Sequence, residues 1–364
     1  MLEGVNDIHL ARQARLRATL VATCVDVALV PPSGDLVYLT GLHMHLSERL
    51  ALLVLPAAGG PTLVLPAFEA SRVPSNLKTA TWTEDQDPLP VLLEQIGTDV
   101  GVIAFGERVA ASDLLGVLEA RPNVQAQPLQ RVTGGVRSLK TEAEVAALRG
   151  AAAATDRAFA ELLRAPLEGS SEREAAARLA AALRNEGLDD VFASCASGPN
   201  AAFPHHTPGE RTIARGDGLL FDFGGRWEGY LSDVSRTVAV GEAPKRLAEV
   251  HAAVLAAQAA GLAALRPGVR LGDVDAAARR SLEAEGLAHA FTHRLGHGLG
   301  LEIHEPPYVT GGNDQVARAG HVVTVEPGVY LEGELGARIE DDVLVTDEGH
   351  ELLTHSPREL LVVA

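Results

Sequence analysis

The spacing of apolar and polar positions changes character near residue 140. Upstream, short apolar runs alternate with helical spacing. A helix over residues 7–22, capped by Asp7, precedes a β-branched run over 25–30 that Pro31-Pro32 halts. Residues 36–39 read as a further strand. Strands over 50–55 and 62–65 flank Ala57-Ala58-Gly59-Gly60 as a hairpin, and a strand over 100–105 is followed by a helix over 112–120. This order predicts a small α/β domain with a mixed sheet over residues 1–132. Residues 131–140 contain Gly134-Gly135 and no long apolar run, and 133–140 reads as the linker between domains.

Downstream, two capping-box signals, Thr141-Glu142-Ala143-Glu144 and Ser171-Glu172-Arg173-Glu174, open helices running to about residues 163 and 187. Strands over 218–224 and 231–240 follow. The order then recurs. A helix begins at Pro244 and stops at Arg266-Pro267-Gly268, a second spans about 273–285, and strands cover 321–326 and 337–345. Helix, helix, strands, twice over, predicts a duplicated half-domain with a site at its seam across residues 141–364. The class of the whole chain is α+β.

Composition narrows the partners. With 46% hydrophobic but only 4% aromatic residues, the cores must rest on Ala, Leu and Val. The net charge of −17 argues against nucleic acid or an anionic membrane as partner and suits hard cations. Cys24 and Cys195 lie far apart and form neither a disulfide framework nor a thiolate metal site. The most apolar stretch, 50–68, is broken by Pro56, Gly59, Gly60, Pro61 and Pro66, so it is not a membrane span. The N-terminal segment lacks the basic and apolar regions of a signal peptide. A soluble, reducing, cytoplasmic setting is the expectation.

The chemistry concentrates in five short motifs. Asp222 lies within Leu220-Phe221-Asp222-Phe223-Gly224, and Asp233 within Ser232-Asp233-Val234-Ser235-Arg236-Thr237. Trp227-Glu228-Gly229-Tyr230 between them makes a turn that brings the two acids alongside each other. The third motif, His293-Arg294-Leu295-Gly296-His297-Gly298-Leu299-Gly300-Leu301-Glu302-Ile303-His304-Glu305, places three histidines among glycines. Glu326 ends an apolar run in Thr324-Val325-Glu326-Pro327-Gly328, and Glu340 stands in Ala337-Arg338-Ile339-Glu340-Asp341-Asp342. An ionised carboxylate in an apolar strand is costly unless compensated. A pair of divalent cations would compensate four such groups together.

These motifs resemble, in the family's order, the five metal ligands of the pita-bread metallopeptidases, which include methionine aminopeptidases, Xaa-Pro aminopeptidases and Xaa-Pro dipeptidases (prolidases). The resemblance covers about residue 140 to the end strongly, and Tyr38-Leu39-Thr40-Gly41 more weakly, as in the N-terminal domain shared with creatinase. It implies a creatinase-like N-terminal domain, a pita-bread catalytic domain with pseudo-twofold symmetry, and a homodimer. It further implies two divalent ions held by Asp222, Asp233, His297, Glu326 and Glu340, with Asp233 and Glu340 bridging. The oxygen-rich donor set with one imidazole suits Mn²⁺ or Co²⁺, with Zn²⁺ an alternative. By the same resemblance Glu326 is the general base, His205 and His304 bond the scissile carbonyl or the intermediate, and His293, Tyr330 and Arg338 line the site. Arg338 would orient Glu340 or a substrate group. His206 is a bystander, while Glu302, Glu305, Asp341 and Asp342 are supporting or solvated acids.

Methionine aminopeptidases lack the N-terminal domain, creatinase lacks the ligands, and non-enzymatic peptide-binding relatives have lost several of them. Dipeptidase and aminopeptidase remain. A dipeptidase must grip a free proline carboxylate and so wants a cation near the metals, for which Arg294 is the candidate. The 41–49 loop is the second clue: His43, His45, Glu48 and Arg49 would read the ends of a dipeptide in the dimer mate, unless Glu48 and Arg49 simply pair in a solvated loop. The expectation is a small-peptide substrate and cleavage of Xaa–Pro dipeptides, with Xaa-Pro aminopeptidase the alternative.

Overall fold

The computed structural model describes residues 5–364. The chain divides into two compact units, Met1–Arg137 and Ser138–Ala364.

The N-terminal unit starts with α1 (Asp7–Ala22), β1 (Val27–Val30) and α2 (Gly34–Thr40). Asn6, not Asp7, caps α1: its side chain accepts from the backbone N–H groups of Ile8 and His9. The expected strand over 36–39 is the helix α2. Four apolar residues are too few for periodicity to separate the two states, and Gly41, at φ 71, ends the helix in the left-handed conformation that glycine adopts freely. Next come β2 (Leu52–Pro56) and β3 (Thr62–Pro66), the predicted hairpin, then β4 (Lys78–Trp82), α3 (Pro88–Ile96), β5 (Val102–Phe105), α4 (Ala111–Ala120) and β6 (Gln125–Pro128). The six strands form one mixed sheet in the order β4-β3-β2-β1-β5-β6. The expected linker is largely helical, as α5 (Gln130–Arg137). Val132 and Val136, one helical turn apart, are buried, and Arg137 pairs with Asp35 at 2.8 Å. These contacts fix α5 to the N-terminal unit despite Gly134-Gly135.

The C-terminal unit contains the predicted repeat. Both capping boxes form, at the starts of α6 (Glu142–Leu162) and α7 (Glu172–Asn185). They lead to β7 (Asp189–Ser197), β8 (Gly218–Trp227) and β9 (Tyr230–Val240). The second half opens with α8 (Lys245–Ala264) and α9 (Leu271–Ala284), followed by β10 (Gly296–Gly298), β11 (Glu305–Val309), β12 (Val322–Val325), β13 (Gly328–Leu331), β14 (Leu335–Arg338), β15 (Asp341–Val345) and β16 (His350–Leu352). The short β17 (Val362–Val363) returns to the first sheet, giving the orders β17-β9-β8-β7 and β11-β10-β12-β15-β16, with β13-β14 as a separate hairpin. The strand expected over 337–345 is interrupted at Ile339-Glu340, where the chain leaves β14, touches Ser235 as an isolated bridge and re-enters the sheet as β15.

Each half has its own core. Phe159 of α6 stacks on Phe223 at 4.8 Å between ring centroids and meets Phe221 edge-on. The second core is almost wholly aliphatic, with Phe291 as its aromatic member, and centres on α8 and α9, with Val250, Val254, Leu271 and Leu282 fully enclosed. Among the described residues α8 alone has the length and apolarity to cross a bilayer, and its apolar face is packed into this core.

Candidate metal centre

The β8–β9 hairpin turns through Glu228 and Gly229, both at positive φ. Its register pairs Asp222 with Ser235 and Gly224 with Asp233. The two acids therefore share one face of the sheet as diagonal neighbours, two residues out of direct opposition. Glu340 joins that face because its backbone N–H donates to the Ser235 carbonyl (3.0 Å), while the Ser235 hydroxyl donates to Glu340 Oε2 (2.7 Å). From the other sheet, Glu326 follows the last residue of β12, and His297 occupies the middle of β10 between two glycines. A Cβ at Gly296 would lie 1.9 Å from the Thr324 carbonyl oxygen, and one at Gly298 would lie 2.4 Å from that of Glu305. Only glycine lets β10 close so tightly around its histidine.

All five expected ligands thus converge, together with His205, His293, Arg294, His304 and Arg338, on a cleft of about 830 Å³. Tyr330 stands behind it, its hydroxyl 2.8 Å from His293 Nε2 and accepting from Arg338 Nη1 at 3.0 Å. Arg338 is buried. It donates to Asp222 Oδ2 (2.7 Å) and to the Ser235 hydroxyl (2.7 Å), so it holds Asp222 directly and Glu340 through Ser235. Glu305, Asp341 and Asp342 are buried rather than solvated: Glu305 pairs with Lys140 at 2.6 Å, Asp341 receives Arg236 and Arg358, and Asp342 accepts from the Asp233 backbone. The loop residues His43, His45 and Arg49 line a separate small cavity in the N-terminal unit. There Arg49 is engaged by Glu48 (2.5 Å) and Glu84 (2.9 Å), the bland alternative left open by the sequence.

Nothing local in the sequence singles out Ser235 and Thr324. Ser235 ties Glu340 to Asp222 through Arg338. Thr324 accepts from His297 N (3.1 Å) and donates to Glu326 Oε1 (3.2 Å). Period-two spacing from Asp233 and Glu326 does no more than put each hydroxyl on its acid's face of the strand.

The electrostatics fit a cation. His297 Nδ1 lies 3.1 Å from the Gly298 carbonyl, an acceptor, so Nδ1 carries the proton and Nε2 presents a lone pair. Burial lowers the His297 pKa, which keeps the ring neutral. That lone pair faces Glu326 Oε1 at 3.3 Å and Asp233 Oδ2 at 3.7 Å, acceptors meeting acceptors with no proton between them once the acids ionise. Donor atoms of Asp233, His297 and Glu340 all lie within 4.8 Å of one another. Burial, reinforced by the neighbouring acids, holds Asp233 and Glu340 well above the ordinary carboxylate range. Burial likewise pushes Glu326 up to about 7, against the pull of Arg338. Burial, with His297 and Arg294 adding to it, pushes His304 down to about 4. A pocket of carboxyls that resist ionisation beside an imidazole lone pair is what a divalent cation would relieve.

The profile of metallopeptidase family M24 matches residues 146–347, the whole of the cleft-forming region. The chain belongs to metallopeptidase family M24. The creatinase/prolidase N-terminal domain matches residues 12–139, so the fold is a creatinase-type domain followed by the pita-bread catalytic domain of the M24 peptidases. The chain is 39% identical to a probable dipeptidase PepE of Mycobacterium tuberculosis, covering 96% of each chain. It superimposes on a prolidase from Thermococcus sibiricus with a TM-score of 0.94 at 34% identity, covering 98% of this chain and 99% of the other. It matches an X-Pro aminopeptidase from Thermotoga maritima with a TM-score of 0.84 at 30% identity, over 96% and 99%. The family uses divalent metals, and Asp233, His297 and Glu340 of this M24 chain are placed so that they could hold one ion together.

Proposed function

We propose that this M24 peptidase is a cytoplasmic Xaa-Pro dipeptidase working with two divalent cations, Mn²⁺ foremost, held by Asp222, Asp233, His297, Glu326 and Glu340. Bound there, the ions supply Lewis acidity toward the scissile carbonyl and an acidified water for attack on it. Glu326 takes the proton of the attacking water and returns it to the leaving proline nitrogen. His205 and His304 face the same cleft, and a neutral His304 donates a hydrogen bond to the carbonyl oxygen as negative charge builds on it. Arg338 keeps Asp222 and Glu340 in place.

The observation that carries the dipeptidase reading is Arg294. Its guanidinium lies over the Tyr308 ring at 4.6 Å, lines the cleft, and makes no ion pair or hydrogen bond with an acid among the described residues. A free C-terminal carboxylate is the anion it suits. Arg294, and not Arg49, is assigned this role because Glu48 and Glu84 already engage Arg49. A homodimer, in which the loop bearing His43 and His45 meets the cleft of a second copy, belongs to the same proposal. Likeness to the Thermotoga X-Pro aminopeptidase favours a second reading, action on longer peptides.

Mn²⁺-loaded protein is incubated in parallel with Ala-Pro and Ala-Pro-Ala, and products are followed by mass spectrometry. Free proline from Ala-Pro, with Ala-Pro-Ala left intact, is the expected outcome. Efficient release of Pro-Ala from the tripeptide makes the enzyme an aminopeptidase and removes Arg294 as carboxylate reader.

A further inference from the structure

His205 reaches the cleft from an irregular segment between β7 and β8. It is exposed and makes no hydrogen bond of its own among the described residues, so only the path of the backbone places its ring. That path converges on one carboxylate. Glu172, the first residue of α7, has a fully buried side chain. Its Oε1 accepts from the Ser197 backbone N–H (2.8 Å), the Ser197 hydroxyl (2.7 Å) and Asn200 Nδ2 (2.9 Å). Its Oε2 lies 2.7 Å from His206 Nε2 and accepts from the Gly209 backbone N–H at 3.1 Å. These partners bracket His205 on both sides. The hydrogen bonds outweigh burial and hold the Glu172 carboxyl down at about 2, so it is a permanent anion at the positive end of α7. Removing a donor from such a network leaves a buried charge short of partners, which is costly, so the segment is held where these donors converge.

We infer that Glu172 is the positioning residue for His205: a buried carboxylate that clamps residues 197–209 through Ser197, Asn200, His206 and Gly209, and so fixes the backbone from which the His205 ring enters the cleft. His206 is thereby an anchor and not a bystander. The inference deepens the peptidase reading above and rests on it.

The test is a double-mutant cycle of Glu172→Gln with His205→Ala on the metal-loaded full chain, with kcat and KM for Ala-Pro, or for Ala-Pro-Ala if only the tripeptide is cut. Glu172→Gln lowers kcat by about tenfold or more with KM nearly unchanged, and costs less than about twofold further in the His205→Ala background. The same fold loss in both backgrounds overturns the inference, because Glu172 would then act on the fold at large. So does a harmless Glu172→Gln or a harmless His205→Ala. If Glu172→Gln does not fold, His206→Ala, at the half-buried edge of the clamp, takes its place in the same cycle with the same expected coupling. If wild-type protein cuts neither peptide, the peptidase reading fails and the ring ¹H–¹⁵N signals of His205 decide the placement alone. One sharp set in wild type that broadens or splits in Glu172→Gln supports the clamp, and an unchanged sharp set overturns it.

Discussion

In the first half of the catalytic unit Asp222 and Asp233 sit inside two long strands paired in unbroken register from Gly218↔Ala239 to Trp227↔Tyr230. In the second half His297, Glu326 and Glu340 sit where strands are short or broken: between glycines in β10, after the end of β12, and in the gap between β14 and β15. The first half positions its acids chiefly by register, since period-two alternation fixes which face they share, with Arg338 bracing Asp222. The second half positions its groups by interrupting strands, so each proposed ligand depends on a close backbone approach or on a few bonds to residues distant in sequence. The cores differ in parallel, with an aromatic stack under the continuous ladder and aliphatic packing under the interrupted one.

The sharpest way to break this contrast is at a ligand or its backbone. Glu326→Gln should lower kcat by about 10²–10⁴-fold with the fold intact, as expected for loss of a general base. Gly296→Ala should come close to it without touching any side-chain chemistry, because its Cβ would press on the Thr324 carbonyl and lift His297 out of place. Circular dichroism and steady-state kinetics on Ala-Pro check both. Activity retained in Gly296→Ala would show that the second half tolerates movement.

The cores give the next effect. Phe159→Ala should cost about 3–5 kcal/mol of stability and Ile339→Val about 0.5–1.5 kcal/mol, since the first removes a ring from a stack and the second one methylene. Urea denaturation with separate probes for each half checks this.

The buried acids predict a pH effect. Folded-state pKa values above the unfolded ones mean that the folded chain holds more protons, so stability falls as pH rises. For Glu326 the loss runs from about 4.5 to about 7, and Asp233 and Glu340 act in the same direction. His293, His297 and His304, whose pKa values burial lowers from 6.5, act in the opposite direction below that value, so the acids show alone above it: protein stripped by a chelator should melt at a lower temperature at pH 8 than at pH 7, and Mn²⁺ should abolish most of the difference. An unchanged melting temperature in the stripped protein would contradict the acid cluster. The smallest effect is at the surface, where Arg149 of the first half pairs with Glu351 of the second at 2.7 Å. Both side chains are exposed, and Glu351→Gln should cost about 0.2–1 kcal/mol, less at high salt.

The contrast also explains what the sequence disclosed. Asp222 and Glu340 were conspicuous because an acid in an apolar frame demands a reason, and the hairpin turn followed from Glu228-Gly229. The capping boxes of α6 and α7 are local, so both helix starts were legible. Leu36-Val37-Tyr38-Leu39 was not, because its helical state is decided by Gly41 and by packing. The break at Ile339-Glu340 and the folding of 130–137 onto Asp35 depend on residues about a hundred positions away, Ser235 in the one case and Asp35 in the other. Glu172 was read only as part of a capping box. Its acceptance of Ser197, Asn200 and His206 has no local signature.

The most direct test of the central claim is the metal-to-protein ratio of wild-type protein, reconstituted with Mn²⁺ and freed of excess, measured by inductively coupled plasma mass spectrometry. A ratio of two, falling in Asp233→Asn, is the result predicted for ligands drawn from both halves. A ratio of one or less in the wild type would contradict a shared two-ion centre at the seam.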